Sequence, residues 1–485
     1  MRAPGAIPAT HLVWTIVTGP VRARGTGVVP VLLTALLVVL VLAVGAAAGL
    51  LGGRGLRQAQ DPLPPLGVPT GRATPAAVAA ATAAPSALPS SGGGTAPTAA
   101  AVQAALAGPL ADPRLGGRTS GQVVVLGSGA VLASFAPDLG VAPASTAKIA
   151  TAAAALTALG AAARVTTTVV AGPTPGAVTL VGAGDPTLSA AAVGAPTTYA
   201  GAARVSDLAA AVTATLADTP VTAVYVDGAA FSGPTTAPGW APEDAPSEYG
   251  APVTAAMVDG ARDTPDATVR SGTPDIAAGQ ALAAALGVPD VPVAATTTAP
   301  STDVLGSVQS APVAVLVQEM LKESDNVLAE VLARLVAMGT GQPASFEGAA
   351  AAVRAVLPEA GTGLVDGSGL SVLDRVTAAD LTAVLGRVAG AENLRPIALM
   401  LPVAGWDGTL RDRFLTAPDS AGAGRVRAKT GTLTGVSCLA GLVVTSSGRL
   451  LAFAVLADQV PATYGGTLDA EAALDRVAAA LASLA

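Results

Sequence analysis

The stretch Pro143-Ala144-Ser145-Thr146-Ala147-Lys148, with the almost wholly apolar run Ile149–Leu159 behind it, decides how the rest of the chain is interpreted. The apolar run predicts a buried helix that begins near Ser145. Ser145 and Lys148 are three positions apart, so their side chains share one face of the first helical turn. A hydroxyl beside an amine is a candidate nucleophile with its own base. A helix cap followed by a solvated lysine would explain the same residues without chemistry.

The residue inventory favours the chemical interpretation. The 485 residues include only the lysines Lys148, Lys322 and Lys429, and every other basic side chain is arginine. A desolvated lysine can lose its proton and act as a base, whereas arginine cannot. Asparagine is rarer still, with only Asn326 and Asn393. Rare residue types are therefore the first candidates for a site.

Histidine and charge exclude several kinds of site. His11 is the only histidine, and it precedes a predicted membrane segment. A Ser-His-Asp triad, a Cys-His pair and a His-ligated metal are thus excluded from the folded body, and we predict no metal and no cofactor. The net charge of −7 without a basic block argues against nucleic acid as a partner. Cys438 is the only cysteine and cannot form an internal disulfide.

The N-terminal region predicts three segments. Residues 1–27, which carry Arg2, Arg22 and Arg24, are interpreted as a cytoplasmic tail. Residues 28–53 contain no charged residue and are long enough for a transmembrane anchor, with a cleaved signal peptide as the alternative. Residues 54–105 are mostly Pro, Ala, Gly, Ser and Thr, which predicts a disordered linker. Whether residues 28–53 are an anchor or a cleaved signal peptide, the chain after them is expected outside the cytoplasm, either anchored to the membrane or secreted.

The remaining chain is interpreted as one domain interrupted by another. Short β-branched strands broken by Gly, Pro and Asp over residues 164–299 predict an inserted β-rich domain. Residues 106–163 and 300–485 would form the discontinuous catalytic domain, of α/β (α+β) class. Its predicted elements are a hairpin at Gly121–Ala136, the Ser145 helix, helical sequence at Ala311–Met338, a helix at Phe346–Leu357, a helix from Thr377, strands at Val436–Thr445 and Arg449–Ala457, and a C-terminal helix. This order predicts a central antiparallel sheet built from both ends of the domain and flanked by helices.

Three motifs occur in this frame: Ser145-x-x-Lys148, Ser324-Asp325-Asn326 and Lys429-Thr430-Gly431. They appear in the order known for penicillin-binding proteins and class A β-lactamases. Each motif arises easily by chance, but together they use two of the three lysines and one of the two asparagines.

The chemistry of acyl transfer assigns each motif a role. Ser145 would attack a carbonyl, and Lys148 would take its proton once repulsion from Lys429 lowers its pKa. Ser324 would relay a proton to the leaving amine, and Asn326 would bind a substrate amide. The substrate-binding candidates are Lys429 and Thr430 for a terminal carboxylate, Gly431 for an extended substrate, and the backbone N–H groups of Ser145 and Thr432 for the oxyanion.

With these residues the chain resembles the class C low-molecular-mass penicillin-binding proteins, the D-alanyl-D-alanine carboxypeptidase/endopeptidase family. The resemblance also includes Gly184-Asp-Pro-Thr-Leu, Trp240 with Tyr249-Gly-Ala-Pro, and Asp366-Gly-Ser-Gly-Leu-Ser. It implies a penicilloyl-serine-transferase (β-lactamase-like) fold with an inserted domain. It also implies serine carboxypeptidase action on peptidoglycan stem peptides, possible endopeptidase action, and binding of β-lactams. Asp458 stands where members often have Asn, and the sequence assigns it no role.

Two alternatives stay open from the sequence. A serine β-lactamase would share acylation but needs a positioned water and base, commonly a Glu after the second motif, and no convincing one is present. A non-catalytic cell-wall-binding module would keep the fold but lose motif residues. All five of Ser145, Lys148, Ser324, Asn326 and Lys429 are present.

Overall fold

The computed structural model describes residues 93–297, 301–358 and 363–485. The predicted cytoplasmic tail and the predicted anchor at residues 28–53 lie outside these ranges, as does most of the predicted linker. Within the ranges that are described, no helix has the length and apolar character needed to cross a bilayer.

The predicted end of the linker is wrong. Helix α1 (Ala99–Leu110) begins inside the segment expected to be disordered, and its Val102 and Leu106 are buried in the core. Thr98 caps the helix by accepting a hydrogen bond from the Ala101 N–H. An alanine-rich helix with only two large buried side chains resembles a linker in composition, because alanine gives little hydrophobic contrast between its faces.

The other elements follow in chain order. The first half contains β1 (Thr119–Val125), β2 (Val131–Phe135), α2 (Lys148–Ala158), β3 (Thr166–Ala171), β4 (Ala177–Val181), α3 (Val205–Leu216), β5 (Ala223–Asp227), α4 (Pro274–Ala285), β6 (Val293–Thr296) and β7 (Val304–Gln309). The second half contains α5 (Val313–Glu323), α6 (Asn326–Gly339), α7 (Phe346–Val356), α8 (Ala378–Gly390), α9 (Ile397–Met400), β8 (Val426–Leu433), β9 (Val436–Val444), β10 (Leu450–Ala457) and α10 (Tyr464–Ala482).

The central sheet joins the two ends of the catalytic domain. Its strand order is β2-β1-β10-β9-β8, and every neighbouring pair is antiparallel. The N-terminal hairpin therefore pairs with the C-terminal strands through β1 and β10. This confirms the predicted sheet built from both ends.

Helices cover both faces of this sheet. All of β10 is buried, and its side chains alternate between two cores as the two-residue period of a strand requires. Leu451, Phe453 and Val455 pack in the core that includes α1 and α10. Ala452, Ala454 and Leu456 pack in the larger core that includes α2 and α5–α8. The catalytic motifs lie on this second side.

The inserted region forms a second sheet with its own core. The strand order is β6-β5-β4-β3-β7, and β4, β5 and β6 run parallel because α3 and α4 connect them. Two predictions are wrong here. The insert is mixed α/β rather than β-rich: α3 buries Val205, Leu208 and Val212 at helical spacing, a signal that is present in the sequence, whereas alanine-rich α4 has weak periodicity. The insert also extends past residue 299, because β7 pairs with β3.

The helical sequence predicted as one element at Ala311–Met338 is two helices. Ser324 has φ of 59° and ψ of 30°, a left-handed conformation that ends α5. Asp325 then caps α6 by accepting a hydrogen bond from the Leu328 N–H. The break places the second motif at a helix junction instead of on a continuous helical face.

Candidate active site

Ser145 lies in the short 3-10 turn Ala144–Ala147 that leads into α2. Residues from Lys148 to Leu156 on α2 are all buried, so the packed core supports this turn from beneath. A Cβ added at Gly369 would lie 1.8 Å from the Ala144 carbonyl oxygen, so the segment around Gly369 must pass directly over the turn. The Ser145 side chain is half-buried on this support.

The Lys148 ammonium group lies at the centre of the site. The residue is 0% exposed, and each of its three donor positions has an acceptor. Nζ is 2.7 Å from Ser145 Oγ, 2.6 Å from Asn326 Oδ1 and 2.8 Å from the Ser368 carbonyl oxygen. The lysine is therefore fixed against the nucleophile by two further contacts.

Burial lowers the pKa of Lys148 to about 8, although the neighbouring carboxylates Asp366 and Glu330 oppose the change. The sequence argument assigned this decrease to repulsion from Lys429, and that assignment is wrong. The largest cause is removal of the ammonium group from water. Repulsion between the lysines acts on Lys429, whose pKa is lowered well below its usual range by burial first and by Lys148 second.

The second motif completes this contact network. Asn326, the first residue of α6, accepts a hydrogen bond from Lys148 and donates through Nδ2 to the Tyr249 carbonyl oxygen at 3.0 Å. Ser324 Oγ accepts a hydrogen bond from Lys429 Nζ at 2.9 Å. The left-handed backbone at Ser324 thus aims Ser324 and Asn326 at different lysines.

Lys429 lies on β8, the last strand of the central sheet. It is fully buried, and its Nζ also donates to the Thr430 carbonyl oxygen at 2.9 Å. At the start of β8 the outer edge is covered, because Arg427 bridges to Val403. From Lys429 onward the described residues place no strand along this edge, so an extended chain can pair with it.

Gly431 and Thr432 follow on the same strand. A Cβ at Gly431 would lie 2.6 Å from the Pro143 carbonyl oxygen, so glycine is required for β8 to pack against the turn that holds Ser145. This explains Gly431 without a substrate. Thr432 Oγ1 donates to Glu471 Oε1 at 2.8 Å, and Thr430 Oγ1 donates to Thr409 Oγ1 at 2.9 Å.

The structure thus brings the predicted residues together. Ser145, Lys148 and Asn326 form one hydrogen-bonded chain, and Ser324 and Lys429 form another beside it. The pairing of the Ser145 and Thr432 amides as an oxyanion site stays a prediction. In the described part of the chain, no group of three or more His, Cys, Asp or Glu side chains is arranged to hold a metal ion.

Asp325 ties the motif to the inserted region. Its Oδ2 accepts hydrogen bonds from Tyr199 OH at 2.7 Å and from Arg270 Nη2 at 3.0 Å. Burial alone would raise the pKa of Asp325, but Arg270 and Arg262 outweigh it and hold that pKa well below its usual range. Tyr199 and Arg270 are 126 and 55 residues away in sequence, so no local pattern could have identified them.

The segment Asp366–Ser371 packs against Lys148 and supplies the Ser368 carbonyl oxygen that accepts its hydrogen bond. Asp366 Oδ1 accepts from the N–H groups of Ser368 and Gly369, and its Oδ2 accepts from Ser371 N–H at 2.7 Å and Trp240 Nε1 at 2.8 Å. The sequence flagged this segment and Trp240 by resemblance but gave them no role. The structure shows that Asp366 folds the segment into a fixed loop.

Asp458, also without a predicted role, secures the chain just before the nucleophile. Its Oδ2 accepts from the Ala142 N–H at 3.1 Å and from Arg118 Nη1 at 2.6 Å. Because Asp458 directly follows β10, its hydrogen bond from the Ala142 N–H holds residue 142 against the end of that strand.

Comparison with known proteins agrees with this geometry. The model of the D-Ala-D-Ala carboxypeptidase 3 (S13) family matches residues 102–270 and 261–481. Carboxypeptidase DacB of Mycolicibacterium smegmatis is 44% identical over 74% of this chain and 80% of its own length. A carboxypeptidase of Mycobacterium tuberculosis is 44% identical over 69% of this chain and 74% of its own length.

The crystal structure of penicillin-binding protein 4 from Haemophilus influenzae has a TM-score of 0.61 at 22% identity, covering 77% of this chain and 98% of that one. This similarity confirms the predicted penicilloyl-serine-transferase fold. With a family match that spans nearly the whole described body, and with the three predicted motifs assembled around Lys148, the chain belongs to the D-Ala-D-Ala carboxypeptidase 3 (S13) family of serine peptidases.

Proposed function

We propose that this D-Ala-D-Ala carboxypeptidase works through an acyl-enzyme on Ser145, with Lys148 as the base. The observation that carries the proposal is the 2.7 Å contact between Lys148 Nζ and Ser145 Oγ, made by a lysine whose pKa is lowered to about 8. About a tenth of Lys148 is therefore neutral at pH 7, and the neutral amine can accept the hydroxyl proton.

The acylation step follows from these positions. Ser145 Oγ forms a bond to the carbonyl carbon of the penultimate D-Ala as its proton moves to Lys148 Nζ. The peptide C–N bond then breaks, and the proton held by Lys148 passes through Ser324 to the leaving amine of the terminal D-Ala, which returns Lys148 to the neutral amine. Ser324 Oγ itself accepts a hydrogen bond from Lys429. Water later hydrolyses the ester and restores Ser145. Backbone N–H groups at Ser145 and Thr432 would stabilise the oxyanion in both steps.

Substrate binding is assigned to the open part of the β8 edge. The stem peptide would extend along residues 430–432, with its terminal carboxylate at Lys429 and Thr430 and with Asn326 facing a peptide amide. Lys429 supports this role because it is buried and its Nζ donates to the Ser324 hydroxyl and the Thr430 carbonyl oxygen, with no carboxylate among its hydrogen-bond partners in the described residues. A substrate carboxylate beside it would raise its lowered pKa and favour the charged ammonium.

Labelling with a fluorescent penicillin followed by peptide mapping tests the nucleophile. We expect label only on Ser145, no label on Ser145→Ala, and normal label on the control Ser128→Ala in an exposed hairpin turn. Label on another residue would refute the assignment. Lys148→Arg should abolish labelling, because arginine keeps the charge but cannot act as a base.

Digestion of isolated peptidoglycan tests the substrate. Carboxypeptidase action releases free D-Ala, whereas endopeptidase action cleaves cross-linked dimers, and mass analysis separates the two products. We expect free D-Ala as the main product. Release of neither product by a protein that still reacts with penicillin would refute the proposed substrate and favour a β-lactamase or a binding module.

The location of the enzyme is part of the proposal. The uncharged run at residues 28–53, preceded by arginines, would anchor the chain with its catalytic body outside the cytoplasm. Protease treatment of intact spheroplasts should then remove the catalytic body while leaving cytoplasmic proteins intact. Protection of the body from protease would contradict an extracytoplasmic location.

A further inference from the structure

Glu330 is a fully buried carboxylate that the proposed acyl-transfer steps do not use. It lies on α6, four residues after Asn326, and is 0% exposed. Its Oε2 accepts a hydrogen bond from Gly367 N–H at 2.9 Å, and its Oε1 accepts one from Ser368 N–H at 2.8 Å. Because the Ser368 carbonyl oxygen accepts from Lys148, a single residue connects Glu330 to the lysine.

Both oxygens of Glu330 act as acceptors, which suits the ionised form. A proton on either oxygen would need an acceptor, and the hydrogen bonds of Glu330 to the described residues are all ones that it accepts. Burial and the charge of Asp366 act to raise the pKa of Glu330, whereas the hydrogen bonds from Ser368 and Gly367 and the charge of Arg334 favour its ionised form. The charge of Glu330 in turn raises the pKa of Lys148.

Other charged groups face the same cluster. From the segment after α7, Asp366 and Asp374 face Lys148, and Asp325 faces it from the start of α6. Burial and Asp366 raise the pKa of Asp374 well above its usual range, and Asp374 is the weakest of the four carboxylates that raise the pKa of Lys148. Arg334, on the same helix as Glu330, donates to the Ala344 carbonyl oxygen at 2.7 Å and lies over the Phe346 ring.

We propose that Glu330 is a positioning residue of the acyl-transfer site: it holds the Ser368 carbonyl against Lys148, and its charge sets the pH at which Lys148 becomes a base. The inference rests on the proposed function of Lys148. A purely structural anchor would hold the loop equally well without affecting the pH dependence of the reaction.

The test compares the pH dependence of penicillin acylation in wild type and two variants. Glu330→Gln has nearly the same shape but no charge, so the acid limb of the rate profile should move about one pH unit lower, the size of a single neighbouring charge effect. Its maximal rate should fall about tenfold, because one amide N–H then faces an NH₂ group and the Ser368 carbonyl shifts. Glu330→Asp keeps the charge but is shorter, so its rate should fall while its limb stays near that of wild type.

Glu347→Gln, the same change at an exposed position on α7, is the matched control and should behave as wild type. An unmoved acid limb in Glu330→Gln, at any maximal rate, overturns the proposal. If Glu330→Gln does not fold, Glu330→Asp carries the test, and a wild-type rate in that variant overturns it. Failure of the wild-type protein to label at Ser145 would instead be a failure of the proposed function.

Discussion

The ion pair between Arg270 and Asp325 connects the inserted region to the second motif, and its removal has a calculable effect. Arg270 Nη2 lies 3.0 Å from Asp325 Oδ2, with the side chains 4% and 7% exposed. Arg270→Met removes the charge and the donors but keeps much of the apolar stem. Among the described residues, Tyr199 OH and Leu328 N–H would still donate hydrogen bonds to Asp325, and the charge of Arg262 would still act on it.

Removing one partner of a buried ion pair leaves an uncompensated charge and costs about 3–5 kcal/mol. A folded body of roughly 400 residues unfolds with an entropy near 0.8 kcal/mol/K, from about 2.1 cal/mol/K per residue. The expected decrease in melting temperature is therefore about 4–6 °C at pH 7. Acylation should slow as well, because the left-handed turn at Ser324 adjoins Asp325.

The pH dependence has a definite sign. In the wild type the pKa of Asp325 is depressed, so its stabilising contribution is present above the unfolded pKa, about 3.9, and is lost as the pH falls through the folded pKa. In Arg270→Met the folded pKa rises, because the larger of the two positive charges that oppose burial is gone and only that of Arg262 remains. The stability difference between the two proteins should thus be largest at pH 7 and smaller at pH 4.

Thermal melts followed by circular dichroism at both pH values measure this difference. Arg395→Met, at an exposed position, is the control and should melt within about 1 °C of wild type. The double variant Arg270→Met/Asp325→Asn should lose less stability than Arg270→Met alone, because it leaves no unpaired charge. A melting temperature for Arg270→Met that matches the control at both pH values would refute the argument.

Three further predictions concern the site itself. Because the pKa of Lys148 is lowered to about 8, the acylation rate at pH 7 should be about one tenth of its alkaline plateau. An acylation rate that does not change between pH 6.5 and 9 would exclude Lys148 as the base. Gly369→Ala places a Cβ 1.8 Å from the Ala144 carbonyl oxygen, at a residue whose φ is +79°. Calorimetry should show that the free energy of unfolding falls by several kcal/mol, and penicillin labelling should fail. The control Gly129→Ala, whose Cβ would enter open space, should lose about 1 kcal/mol. Thr409→Val removes the hydroxyl that accepts a hydrogen bond from Thr430 at 2.9 Å. The KM for a D-Ala-D-Ala peptide should therefore rise about fivefold, with kcat nearly unchanged. An unaltered KM would show that Thr409 does not support carboxylate binding.

Sequence patterns worked best where composition contrasts were strong. The apolar run after Ser145 and the β-branched strands near the C-terminus predicted α2, β9 and β10 well. The alanine-rich helices α1 and α4 were missed, because they carry too little hydrophobic contrast to distinguish helix from linker or strand, whereas α3 was missed although Val205, Leu208 and Val212 recur at helical spacing. The junction at Ser324 also failed, since a left-handed residue between two helical stretches leaves the apolar periodicity on either side intact.

The sequence by itself determined the reactive groups. Its scarce lysines and asparagines, and its single histidine outside the predicted catalytic body, restricted the chemistry to a serine with a lysine base. Only the tertiary structure decided how that lysine is tuned. The pKa of Lys148 depends on complete burial and on carboxylates such as Glu330 and Asp366, which are far apart in sequence. Desolvation and charge proximity are properties of packed space, so no linear motif could have specified them.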